Sequence, residues 1–213
     1  PEPRKAFGVI SDSYFESLFG VPPTAADSLP ARLATATGWD VWNGAQGGTG
    51  FINPGAGGLF SPYGSAARLA AIEAMKIDAL IVNGSINDHS YPVANVKAAM
   101  IQFYNDVAKI KPGMPIVQVG VQSVTYPGIP SPPGLATLVT AQKEAVAVSP
   151  NVVGYIDPYT VPWLTGSGDE SVTDNNGNQD YLIGADGVHL SNRGSKHYAI
   201  LIRDRMKSMR ATV

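Results

Sequence analysis

The chain contains no cysteine, which excludes disulfides, thiolate catalysis and cysteine-bound zinc. It also lacks any excess of positive charge: 15 Lys and Arg stand against 17 Asp and Glu, a formal net charge of -2. Gripping a phosphate backbone takes clustered cations, so nucleic acid is not expected as a partner. No apolar run approaches the roughly 20 residues that cross a bilayer, so no membrane span is expected. The sequence opens Pro1-Glu-Pro-Arg4, with neither an initiator Met nor an apolar leader. We therefore expect a single domain over 1–213 excised from a larger protein, with an extracellular or particle-associated setting favoured. Histidine is scarce as well. Only His89, His189 and His197 are present, which narrows the search for a general base.

What is present is a globular composition, 44% hydrophobic and 15% charged. Short runs rich in β-branched residues recur along the chain: Lys5–Ser11, Asp40–Asn43, Asp78–Val82, Pro115–Val119 and Val152–Ile156. Each stops at Gly, Asn, Asp, Ser or Pro, the pattern of five buried strands. Between them lie helical patterns. Val93, Val96, Met100, Phe103, Val107 and Ile110 follow spacings of three and four, which marks one apolar helix face, read as core. Weaker helical segments cover 64–76 and 134–148. A last helix should start with Ser191 as its cap and end in Arg203, Arg205, Lys207 and Arg210, cations suited to the negative end of the helix dipole. Strands alternating with helices predict an α/β fold, a parallel sheet covered on both faces. The Gly- and Pro-rich stretches 44–63, 84–92, 122–134 and 157–187 each follow a strand, the edge at which such sheets bind ligands.

Two features at that edge carry chemistry. Asp186-Gly-Val-His189 places a carboxylate three residues before an imidazole, where it can accept the Nδ1 proton and leave Nε2 to take one from a serine. Ile10-Ser-Asp-Ser13-Tyr14 supplies serines directly after the first strand, with Ser11 as the rival to Ser13. The GxSxG elbow of the larger α/β-hydrolase fold is absent. Asp174-Asn-Asn-Gly-Asn-Gln-Asp180 is rich in oxygen donors, but its glycine is misplaced for a calcium-binding loop, and a solvated loop is the better reading.

These blocks resemble those of the SGNH, or GDSL-like, hydrolases. Asp12-Ser13-Tyr14 is similar to the first family block, with Ser11 standing where the family has glycine. Asn43-Gly-Ala-Gln-Gly-Gly-Thr49 resembles the second, whose glycine aligns with Gly48, Gly47 being the alternative. Gly84-Ser-Ile-Asn87-Asp88 resembles the third in a variant with one extra residue. Asp186-Gly-Val-His189 followed by Leu190-Ser191 and Gly194 resembles the fourth. All four occur in family order across nearly the whole chain. The resemblance implies a three-layer α/β/α sandwich with a five-stranded parallel sheet, catalysis by Ser13, Asp186 and His189, and an oxyanion hole of Ser13, Gly48 and Asn87. It implies no cofactor and no metal.

The expected activity is hydrolysis of short-chain acyl esters, O-acetyl groups on carbohydrate in particular, through an acyl-enzyme. An acyltransferase on the same fold and a non-catalytic binding module are the rival readings. His89, Tyr126 and Trp163 are the candidate substrate-binding residues, with Tyr63, Tyr159 and Tyr181 as further rings on the ligand edge.

Overall fold

The computed structural model describes residues 4–16, 25–58, 60–122, 134–165, 177, 179–184 and 186–210. Strands β1 (Ala6–Ile10), β3 (Ala79–Asn83) and β4 (Ile116–Val119) are buried at every position, as continuous apolar runs are when both faces of a parallel sheet are covered. β2 (Asp40–Asn43) and β5 (Val152–Ile156) are the edges, and their side chains are correspondingly more exposed. The order is β2-β1-β3-β4-β5, with every pairing parallel.

The helices are α1 (Ser13–Glu16), α2 (Leu29–Thr37), α3 (Ala66–Ala74), α4 (Val93–Ile110), α5 (Leu135–Ala147), α6 (Gln179–Leu182) and α7 (Asn192–Arg210). Because strand side chains alternate, the sheet divides its residues between two cores. Phe7, Val9, Ala79, Ile81 and Val119 pack toward α2 and α7, meeting Leu29, Leu33, Tyr198 and Ile202. Ile10, Leu80, Val82 and Ile116 pack toward α3, α4 and α5, meeting Ile72, Met100, Phe103, Val107 and Leu138. The result is the three-layer α/β/α sandwich expected from the sequence. The apolar stripe of α4 is core, as read, apart from its first residue, Val93, which is exposed. Ser191 caps α7, its Oγ accepting the Gly194 N–H at 3.1 Å. α2 is an addition that the sequence patterns did not reveal.

The register sets the site. Asn43 pairs with Val9, Val82 with Ile10 and Asn83 with Val119, so β1 to β4 end at one level. β1 has β2 on one side and β3 on the other, and the chain leaves β1 toward β2 but leaves β3 toward β4, in opposite directions across the sheet. The crevice at such a switch point is where open α/β sheets hold ligands.

Candidate active site

The chain leaves β1 through Ser11 and Asp12, both fully buried, and reaches a half-buried Ser13 that opens α1. The two serines are therefore not equivalent. Ser11 Oγ accepts a hydrogen bond from Asn83 Nδ2 at 3.0 Å inside the protein, whereas Ser13 reaches the surface of the crevice. Between them, the Asp12 carboxylate accepts the N–H groups of Tyr14 and Ser85, each at 3.1 Å. It lies so close under the third loop that a Cβ on Gly84 would fall 2.3 Å from Asp12 Oδ2, and the φ of +85° at Gly84 also demands glycine. Burial pushes the Asp12 carboxyl up to about 6, although both N–H bonds and the nearby His189 pull it down.

His189 lies on a tight turn closed by a bridge between Ile183 and Leu190 and by a 2.7 Å bond from the Gly184 N–H to the His189 carbonyl. Asp186 organises this turn. Its Oδ1 accepts the N–H groups of Val188 and His189, each at 2.9 Å, while Oδ2 lies 2.6 Å from His189 Nδ1. Partial burial by itself would raise the Asp186 carboxyl, but the backbone N–H groups and the imidazole outweigh it and hold the group below its ordinary range. With the carboxylate accepting a hydrogen bond from Nδ1–H, Nε2 carries the lone pair a general base needs. Tyr14 docks the turn onto α1, its hydroxyl donating to the Val188 carbonyl at 2.8 Å and its ring centroid lying 6.1 Å from that of His189.

The second and third loops are tied together. Gly48 adopts a φ of +71°, a left-handed conformation suited to glycine, and is part-exposed where Gly47 is buried. Asn87 Nδ2 donates to the Thr49 carbonyl at 3.0 Å, which uses one of its two N–H bonds and fixes the direction of the other. Asp88 is almost fully buried. It accepts the N–H groups of Phe51 at 2.6 Å, Ile52 at 3.2 Å and Asn53 at 2.9 Å, together with the Ser85 hydroxyl at 2.7 Å. The sequence motif contains Asp88, but nothing in it told that this carboxylate clamps the neighbouring loop. Among the described residues, no group of three or more His, Asp or Glu gathers to hold a metal ion.

The aromatic expectations need correction. Trp163 is core, 4% exposed, its ring 4.7 Å from that of Tyr198 in an edge-to-face contact, so it cannot face a substrate. Tyr63 is fully buried as well, donating its hydroxyl to the Asn83 carbonyl at 2.9 Å. Both sit in Gly- and Pro-rich segments, and it is the packing of those segments onto the sheet that buries the rings. Tyr159 is half-buried against the second core and Tyr181 is exposed. Tyr126 and most of 174–180 lie outside the described residues. His89 is part-buried, with Nδ1 2.9 Å from the Ile86 carbonyl; donation to that carbonyl leaves Nε2 as an acceptor.

A model of the GDSL-like lipase/acylhydrolase family matches residues 10–197, a span that takes in all four blocks. The chain belongs to this family. No curated protein matches its sequence. Among solved structures it is similar to a carbohydrate acetylesterase from Sinorhizobium meliloti, with a TM-score of 0.70 and 14% identity over 97% of this chain and 100% of that one. It is also similar to a family two carbohydrate esterase from Clostridium thermocellum solved with cellohexaose, at a TM-score of 0.70 and 14% identity over 100% of this chain and 67% of that one. A salicylyl-acyltransferase from a tetracycline biosynthetic pathway matches at a TM-score of 0.68 and 16% identity, covering 98% of this chain and 55% of that one. These likenesses establish the fold, and membership of the GDSL-like lipase/acylhydrolase family makes the chain a hydrolase.

Proposed function

We propose that this GDSL-like hydrolase is a serine esterase that cleaves short-chain acyl esters, O-acetyl groups on carbohydrate in particular, through an acyl-enzyme on Ser13. The observation that carries the reading is the Asp186–His189 pair, bonded at 2.6 Å and docked by Tyr14 against the helix that Ser13 opens. His189 Nε2 takes the Ser13 proton as Oγ attacks the ester carbonyl, and Asp186 orients the ring and stabilises the imidazolium. The negative charge that forms on the carbonyl oxygen is held by the N–H groups of Ser13 and Gly48 and the free N–H of Asn87. As the tetrahedral species collapses, the imidazolium gives its proton to the departing alcohol. Water, deprotonated by His189, then attacks the acyl carbonyl and releases Ser13 with the carboxylic acid.

The carbohydrate leaning rests on polar side chains of the second and third loops, Asn53, Asn87 and His89, and on esterase neighbours named for carbohydrate. Nε2 of His89 is assigned to accept a sugar hydroxyl. Ser13→Ala should abolish hydrolysis of p-nitrophenyl acetate and of an acetylated xylooligosaccharide while the protein melts as before, and Ser11→Ala should keep most of the activity. Wild-type turnover by Ser13→Ala overturns the proposal. Adding an acceptor alcohol and analysing products separates hydrolysis from acyl transfer.

A further inference from the structure

The three donors proposed for the oxyanion come from three segments that leave three different strands, and such a site works only if they hold their mutual positions to about half an ångström. One side chain bonds to the first two segments directly and reaches the third through Thr49. Arg68, on the first turn of α3, is 4% exposed. Its Nη2 donates to the Ser11 carbonyl at 3.2 Å and to the Gly44 carbonyl at 2.7 Å, at the exits of β1 and β2. Its Nη1 donates to Thr49 Oγ1 at 3.1 Å, to the Ser61 carbonyl at 3.2 Å and to Gln46 Oε1 at 3.4 Å. Ser11 is two residues before the nucleophile, and Thr49 is next to Gly48. The Thr49 carbonyl in turn holds Asn87.

The seat of this group is built for it. Ser65 caps α3, its Oγ accepting the Arg68 N–H at 3.4 Å, and the Tyr63 ring lies 4.8 Å from the guanidinium carbon. Among the described residues no carboxylate forms an ion pair with Arg68. Every hydrogen-bond partner is a neutral oxygen, and the Asp12 carboxylate acts on the guanidinium only through space, without a bond. Burial lowers the group's hold on its proton, yet a guanidinium starts so high that it remains a cation at neutral pH.

We infer that Arg68 is the positioning residue of the oxyanion hole, a buried cation that fixes the segments bearing Ser13, Gly48 and Asn87 relative to one another and favours the negative charge formed beside them. The inference rests on the serine-esterase reading above. A planar fork is required, because only a guanidinium can donate to both sides at once; a lysine brings the charge without the span.

The test is p-nitrophenyl acetate hydrolysis by the whole chain carrying Arg68→Lys or Arg68→Met, each alone and combined with Asn87→Ala, beside Ser13→Ala. We expect kcat to fall about tenfold in Arg68→Lys and about a hundredfold in Arg68→Met, with KM changed less than about threefold. Combining either variant with Asn87→Ala should cost little beyond the larger single loss, because both act on one oxyanion. A kcat within about twofold of wild type, a loss confined to KM, or losses that multiply with Asn87→Ala would overturn the inference. Should the arginine variants fail to fold, Thr49→Val removes the hydroxyl that Arg68 grips, together with that hydroxyl's own bond to the Gln46 carbonyl. It should lower kcat about three- to tenfold and couple to Asn87→Ala, and an unchanged kcat counts against Arg68. The underlying reading fails on a different result: a fully active Ser13→Ala removes the serine esterase whatever the Arg68 variants do.

Discussion

In the proposed mechanism a single amide, that of Asn87, is shared between structure and chemistry. One N–H is committed to the Thr49 carbonyl at 3.0 Å, and that bond aims the other. If the second N–H meets the oxyanion only as charge develops, Asn87→Ala should lower kcat by about a hundredfold or more with a smaller change in KM, as measured on p-nitrophenyl acetate. A pure KM effect would instead make Asn87 a substrate-binding residue. The residues proposed for catalysis each belong to a short block that can be read locally: Ser13 after a strand, His189 three residues past Asp186. Residues whose meaning depends on what lies above them cannot be. Arg68 stands in Ala-Ala-Arg-Leu-Ala-Ala, which reads as a lone cation on a solvated helix face, and only the loops that fold over α3 turn it into a buried one. Trp163 and Tyr63 misled in the same way, since burial of a loop ring is decided by tertiary packing.

At the scale of elements, the strands were plain because parallel strands buried on both faces need unbroken apolar runs, and such runs are visible without partners. α2 was not. Its segment, Leu-Pro-Ala-Arg-Leu-Ala-Thr-Ala-Thr, carries a proline and two β-branched threonines and buries only Leu29 and Leu33. The proline is tolerated because it sits in the first turn, where no intrahelical partner awaits its N–H, and Ser28 caps the end in its place. The geometry of the site depends on a contact between two elements far apart in sequence, the 2.8 Å bond from the Tyr14 hydroxyl on α1 to the Val188 carbonyl beside His189. Tyr14→Phe keeps the packing and loses the bond. The expected cost in stability is about 1 kcal/mol, a few degrees in Tm for a chain of this size. We expect kcat to fall by more than that modest loosening suggests, about three- to tenfold, because the base drifts relative to Ser13. Calorimetry together with steady-state kinetics checks the pair of outcomes, and an unchanged kcat would show that the turn holds itself.

For the whole molecule, the three layers place a carboxyl group at the edge of the sheet where β1 ends, and its titration is linked to folding. Asp12 is fully buried, with a carboxyl raised by that burial from 3.8 to about 6. Between these two values the folded protein holds a proton that the unfolded chain has released, so stability must fall as pH rises through the window and level off above it. A shift of about two units corresponds to about 3 kcal/mol as an order of magnitude. Asp186 acts with the opposite sign. Its lowered carboxyl adds stability above the ordinary carboxylate range, which is lost as pH falls through its folded value. Comparing wild type with Asp12→Asn cancels that contribution and every other shared group. The amide can accept only one of the two N–H groups that meet the carboxylate, from Tyr14 and Ser85, which gives the variant a roughly constant deficit. Superimposed on that offset, the variant should gain on wild type by about 2 kcal/mol between pH 4 and pH 7, nearly all of it below about pH 6.5. Urea unfolding at intervals of half a pH unit measures the difference directly. Two curves that stay parallel across this range would show that Asp12 is charged in the folded protein throughout, its buried charge met by the surrounding N–H groups and His189.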